Sequence, residues 1–237
     1  MYNRDYLSQN TKEQDDLNTH DDVYKSKAHL KSFLKATYQL FAGSLLAATV
    51  GAYVGLGALP EVTSWYWGLV ILEFILIFAV QAVKNKPGIN LLVLFSFTFI
   101  SGLTITPLLA SVLKLPGGAN IVAQAFLMTS VAFGGISFFG LTTKRDFSSM
   151  GKMLFIALII LIVGSISNIF IQAPILQLGI AMLGAVIFSA FILYDTQRII
   201  KGRFPTPIEA AISLYLDFLN LFISLLQILG IFGGRND

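Results

Sequence analysis

Two aspartates stand within or at the end of apolar stretches: Asp195 in Tyr194-Asp195-Thr196, which closes one, and Asp217 in Leu216-Asp217-Phe218. Around the second, Glu209, Ser213, Asp217, Asn220, Ser224 and Gln227 recur at spacings of four, four, three, four and three. At about 100° per residue all six fall within roughly 80° of a helical wheel. A helix over 209–230 therefore carries one polar stripe, and an ionisable group inside such a helix has to face protein or a wet cavity rather than lipid. Carboxylates that meet in a low-dielectric site cannot both ionise cheaply, so a pair can share a proton or hold a cation. Oxygen ligands of this kind suit a hard ion such as Ca²⁺.

Other residues are weighed beside this pair. Asp195, at the end of its span, also reads as a solvated interface group. Glu73, near the middle of another span, reads equally as a third member of a wet cavity or as an acid hydrogen-bonded for packing. Glu209, Ser213, Asn220, Ser224 and Gln227 are cavity-lining candidates. Lys84 and Lys86 are inside anchors, either of which could serve as counter-ion to Asp195. An intramembrane aspartyl protease would also use two carboxylates to activate water. Asp217 lacks the glycine-rich approach expected there, and no catalytic residues are assigned. Neither a phosphate loop, an HExxH pattern nor a Ser/His/Asp set appears, and both histidines, His20 and His29, lie near the N-terminus.

The elements that must position these groups are membrane spans. With 55% hydrophobic and 12% charged residues, the chain has the composition of an integral membrane protein. No cysteine is present, which excludes disulfides and thiolate metal sites. No basic patch with a fold to present it suggests nucleic acid. Seven spans are expected, at about 36–58, 65–83, 90–110, 121–141, 153–171, 175–194 and 209–230. A polar tail over 1–35 and a short tail over 232–237 flank the transmembrane domain, 36–231. The first span spaces Gly43, Ala47, Gly51 and Gly55 four apart, a groove for close helix approach. Pro107 predicts a kink in the third, and the small residues of the fourth, including Ala123, Ala125, Gly134 and Gly135, predict an interior helix.

Of the 16 basic residues, only Lys114 and Arg235 fall on one side of this topology. The rest lie on the other, which the positive-inside rule assigns to the cytoplasm, with the N-terminus inside and the C-terminus outside. Asp195 and Asp217 then both lie in the cytoplasmic half. By helix rise their depths differ by roughly 5 to 10 Å, so contact requires the sixth span to continue past Asp195 or the seventh to break.

The stretch Ala125-Phe-Leu-Met-Thr129-Ser130-Val-Ala-Phe133, preceded by Gly102-Leu-Thr-Ile-Thr-Pro107, resembles the signature of the Bax inhibitor-1 family. Tyr194-Asp-Thr-Gln197 and Leu214-Tyr-Leu-Asp217-Phe-Leu-Asn220-Leu-Phe are similar to that family's two carboxylate motifs. The resemblance covers all seven spans and implies an all-α, seven-transmembrane bundle with the last helix central and wrapped by the other six. It implies a pH-sensitive calcium leak in the inner membrane, with Asp195 and Asp217 as paired sensor. A basic residue of the second helix would latch one aspartate. That span has no arginine, leaving Lys84 or Lys86, and a lysine makes no bidentate clamp. The resemblance also implies, as an alternative, a non-catalytic regulator of a membrane-bound quality-control protease or stress response. The expected partners are the lipid bilayer, Ca²⁺ or H⁺ and such a protease; no cofactor is expected beyond Ca²⁺ as a transported or bound ion.

Overall fold

A computed structural model describes residues 5–234, with side chains from residue 28 onward. The side chains of the polar tail up to residue 27, His20 among them, and residues 235–237 lie outside the described residues. The chain is all-α: α1 (Asp5–Gly57), α2 (Leu59–Ser64), α3 (Tyr66–Val83), α4 (Ile89–Thr104), α5 (Thr106–Leu113), α6 (Gly118–Thr142), α7 (Gly151–Ile171), α8 (Pro174–Ile200) and α9 (Pro207–Gly233). A single 3₁₀ turn, Ser148–Met150, precedes α7. Seven segments are long and apolar enough to cross a membrane, with α4 and α5 forming one of them and no strand among the described residues.

The helix boundaries follow local chemistry. The break between α4 and α5 falls at Ile105, two residues before Pro107, whose missing N–H suits the first turn of α5. Gln172 ends α7 in a left-handed conformation, φ 53°. The Asn168 side chain accepts the Ala173 N–H at 3.1 Å, and Pro174 then opens α8. At the start of α9 the Thr206 hydroxyl accepts the Glu209 N–H at 3.3 Å, an N-cap that fixes the position of Glu209.

Helix α9 is the axis of the bundle. It packs against α8, α6, α1 and α4, and Ala210, Ala211, Leu214, Tyr215 and Leu226 are completely buried. The other helices do not surround it equally: α3 packs chiefly on α4, and α7 chiefly on α8. Each of these outer helices has one fully buried residue, Val80 and Leu154, and leaves Phe74, Phe78, Ile160 and Phe170 exposed in the manner of lipid-facing side chains.

Association of helices in lipid rests on close packing rather than water exclusion, and the α1–α4 crossing is where it is tightest. A Cβ on Gly51 would overlap the Phe99 carbonyl, and one on Gly102 would overlap that of Ala48. The four-residue groove of the first span is thus filled by α4 and, at Gly55, by Thr106 of α5. Helix α6 differs from the expectation of a wholly interior helix. Ala125, Thr129, Phe133, Ser137 and Gly140 are buried, whereas Ala123, Gly134 and Gly135 are exposed. Burial there follows the three-to-four spacing of one face, not the smallness of the residues.

Candidate functional site

The polar stripe of α9 turns toward α8. Asp195, on α8, is buried at 5% exposure and Asp217, on α9, at 6%. They come within electrostatic reach of one another because α8 runs on to Ile200, past the point where hydropathy ends the span. The Arg198 guanidinium donates from Nη1 to Asp195 Oδ1 at 3.0 Å, and the Ser213 hydroxyl of α9 lies alongside the same carboxylate. Asp217 Oδ2 is buried with no hydrogen-bond partner among the described residues. A buried acceptor without a partner costs about 1 to 3 kcal/mol or more, so this oxygen is a place where a proton, a water or a cation is favoured.

Arg198 was not singled out from the sequence, although the signal was there: it stands three residues after Asp195, hence one turn on if the helix continues. Its guanidinium lies over the Phe204 ring at 4.2 Å and the Tyr194 ring at 5.5 Å, which holds it in place. Lys84 does not reach Asp195. It donates from Nζ to Glu209 Oε1 at 2.8 Å, tying the end of α3 to the first turn of α9. Glu209 also accepts from Thr206 Oγ1 at 3.2 Å. Lys86 is exposed. The span-two basic residue therefore holds an acid of the stripe, but the one at its entrance.

The remaining candidates divide in two. Glu73 accepts from the Thr104 hydroxyl at 2.8 Å and so joins α3 to α4, away from the aspartates. Asn220 donates to the Leu216 carbonyl of its own helix at 2.8 Å. Ser224 packs against Gly184 of α8, and Gln227 lines a cavity shared with α7 and α8. Among the described residues no three metal-ligating side chains come together. The site is a pair of acids with the Arg198 guanidinium and the Ser213 hydroxyl beside it.

Two residues of the carboxylate motifs make contacts that no local pattern predicts. Tyr215 is completely buried. Its hydroxyl is hydrogen-bonded to that of Ser101 and faces the Thr98 carbonyl at 3.5 Å, fixing the rotation of α9 against α4. In Leu214-Tyr215-Leu216 it reads as one more apolar position. Gln197 behaves as a strand edge would: its Nε2 donates to the Arg145 carbonyl at 2.7 Å, and its Oε1 accepts the Phe147 N–H at 2.7 Å. The loop between α6 and α7 is thereby fastened to the α8 turn that carries Asp195. Lys201 reinforces it, pairing with Asp146 and donating to Ser148 Oγ at 2.8 Å. The Lys201 contact, helped by Ser148, holds the Asp146 carboxyl well below the usual carboxylate range.

Comparison with known sequences bears on the whole of this architecture. The profile of the family described as Inhibitor of apoptosis-promoting Bax1 matches residues 30–234. An uncharacterized protein of Campylobacter jejuni is 55% identical over 214 residues, covering 88% of this chain and 92% of that protein. An uncharacterized membrane protein of Vibrio cholerae is 36% identical over 207 residues, 86% and 91% of the two chains. The Golgi anti-apoptotic protein of Vaccinia virus, strain Lister, is 34% identical over 224 residues, 91% and 92% of the two chains.

Proposed function

The chain belongs to the Bax inhibitor-1 family of membrane proteins, and we propose on that premise that it passively conducts cations, Ca²⁺ foremost, under control of the Asp195–Asp217 pair. The observation that carries this reading is the unpartnered Asp217 Oδ2, buried on the central helix within electrostatic reach of Asp195 and Arg198. A carboxylate oxygen left open in a low-dielectric site is suited to take up a proton or a dehydrated hard cation. The donor set fits transit better than retention. Two carboxylates with one arginine already on them fall well short of the six to eight oxygens of a resident calcium site.

Protonation removes negative charge from the pair and with it the hold on Arg198. Because α8 and α9 are joined through that cluster, its protonation state biases how the two helices sit. The orientation follows from the basic residues: Lys84, Lys144, Arg145, Lys152, Arg198, Lys201 and Arg203 all flank one end of the bundle, against Lys114 at the other. By the positive-inside rule this distribution supports an N-terminus and aspartates on the cytoplasmic side of the inner membrane. No step here is catalytic.

The test is calcium entry into sealed vesicles containing the purified protein and a calcium dye, between pH 5 and 8. Flux that varies with pH in the wild type and loses that variation in Asp217→Asn is the expected result. No flux at any pH, with Asp217→Asn indistinguishable from wild type, refutes the leak reading. The regulatory alternative, in which the chain acts on a membrane-bound protease or stress pathway through its lipid-facing helices and N-terminal tail, would then stand alone.

A further inference from the structure

The α9 stripe does not end at the aspartates, and what faces it changes along its length. On α8 the positions Gln177, Ala181, Gly184, Phe188, Ile192 and Asp195 follow one another at intervals of four, three, four, four and three, so they share a face. Both ends of that face meet the stripe. Asp195 lies by Asp217 and Ser213; Gly184 lies against Ser224, where an added Cβ would come within 2.6 Å of Oγ. Between them stand Phe188 and Ile192, buried at 7% and 0% exposure. Along this stretch the α9 stripe carries Asp217, Asn220 and Ser224 with the buried Leu221 beside them, while the α8 side is apolar in the middle and polar at both ends.

Beyond Gly184 an open-sided pocket of about 280 Å³ lies between α7, α8 and α9, lined by Ser165, Asn168, Gln172, Gln177 and Gln227 together with Ile169 and Ile180. Five neutral polar side chains from three helices converge there, on the side of the membrane opposite the aspartates. Neutral amide and hydroxyl oxygens can replace part of a cation's hydration without trapping it, as a conducting path requires. Two apolar side chains across a narrow polar strip stop ions by keeping the strip dry.

We propose that the seam between α8 and α9 is the conduction route: cations enter at Asp195 and Asp217, are stopped in this closed form by Phe188 and Ile192, pass the Gly184–Ser224 constriction, and leave through the amide-lined cavity. The proposal rests on the leak reading above and adds its path. The sequence helps the test, because a chain without cysteine accepts single cysteines as unambiguous reporters. Gln177→Cys, Gln227→Cys and Ile192→Cys are made, with lipid-facing Ile166→Cys as control. A membrane-impermeant cationic methanethiosulfonate is applied to right-side-out vesicles, and labelling is read by mass and flux by the calcium dye.

The expected result is labelling at 177 and 227 with loss of flux, labelling at 192 only under the pH at which flux is high, and neither effect at 166. Gly184→Ala should abolish flux, and Ser224→Ala should restore it, because only Oγ is in collision and Ser224 Cβ would lie 3.6 Å away. Modified cysteines at 177 and 227 that leave an Asp217-dependent flux untouched would overturn this path and leave the leak reading in place. Absence of flux in the wild type overturns both. Absence of labelling at 177 and 227 in monodisperse protein overturns the outer mouth alone.

Discussion

Removing the Lys84 ammonium tests how α9 is held at its entrance. Lys84 and Glu209 are 2.8 Å apart, with side chains 30% and 12% exposed. A hydrogen bond to a charged partner contributes about 1.5 to 3 kcal/mol, and stranding a fully buried partner costs about 3 to 5 kcal/mol. Here Lys84 is partly solvated and Glu209 keeps its contact with Thr206. Both reduce the effect, and Lys84→Met should destabilise by about 2 kcal/mol. For a domain of this size that lowers Tm by roughly 4 to 8 °C. Glu209→Gln, which keeps an acceptor, should cost about 1 kcal/mol, and the double substitution should fall short of the sum by about 1 kcal/mol, since the stranded charge is gone. The assay is thermal unfolding in detergent followed by the fluorescence of Trp65 and Trp67, which sit near the opposite end of α3. A Lys84→Met transition within about 1 °C of wild type, with the two substitutions strictly additive, would refute the view that this pair fastens the outer layer to the axis.

Two further outcomes follow from packing and charge. Gly51→Ala drives a Cβ into the Phe99 carbonyl, which backbone cannot yield, so about 3 kcal/mol should be lost; Gly57→Ala, which meets nothing within 4 Å, should leave Tm unchanged. Asp146 titrates below its ordinary value in the folded protein. Its contribution is therefore present above the unfolded carboxylate pKa of about 3.9 and is lost as pH falls through the lower folded value. The Tm difference between wild type and Asp146→Asn should be level from pH 5 to 8, shrink as the medium is acidified below about pH 4, and shrink in high salt at neutral pH.

The seven spans were legible because lipid imposes one demand on every helix, and that demand is written in composition. The rotation of α9 was legible too, since six polar groups on one stripe leave only one way to face. What escaped was anything decided by a partner far along the chain. Hydropathy closes the sixth span at Tyr194 because Asp195, Thr196, Gln197 and Arg198 follow, yet those four are held helical by tertiary contacts. Gln197 finds the loop at Arg145 and Phe147, and Thr196 meets Ser137 of α6. Lys84 meets Glu209 across 125 positions, a pairing no local pattern encodes. Tyr215 was hidden because a tyrosine among leucines shows nothing of the hydroxyl that locks it to Ser101.

The outer position of α3 makes bilayer thickness a variable of this protein. Its 18 residues span about 27 Å, slightly less than a typical hydrocarbon layer of about 30 Å. Its hold on the bundle is through α4 rather than through the axis. A thicker membrane cannot be matched by tilting a helix that is already short, so the mismatch falls on whatever anchors its ends. At one end that anchor is Lys84, and the load passes directly to Glu209, the first acid of the central helix. Membrane thickness is thereby coupled to the first turn of the central helix.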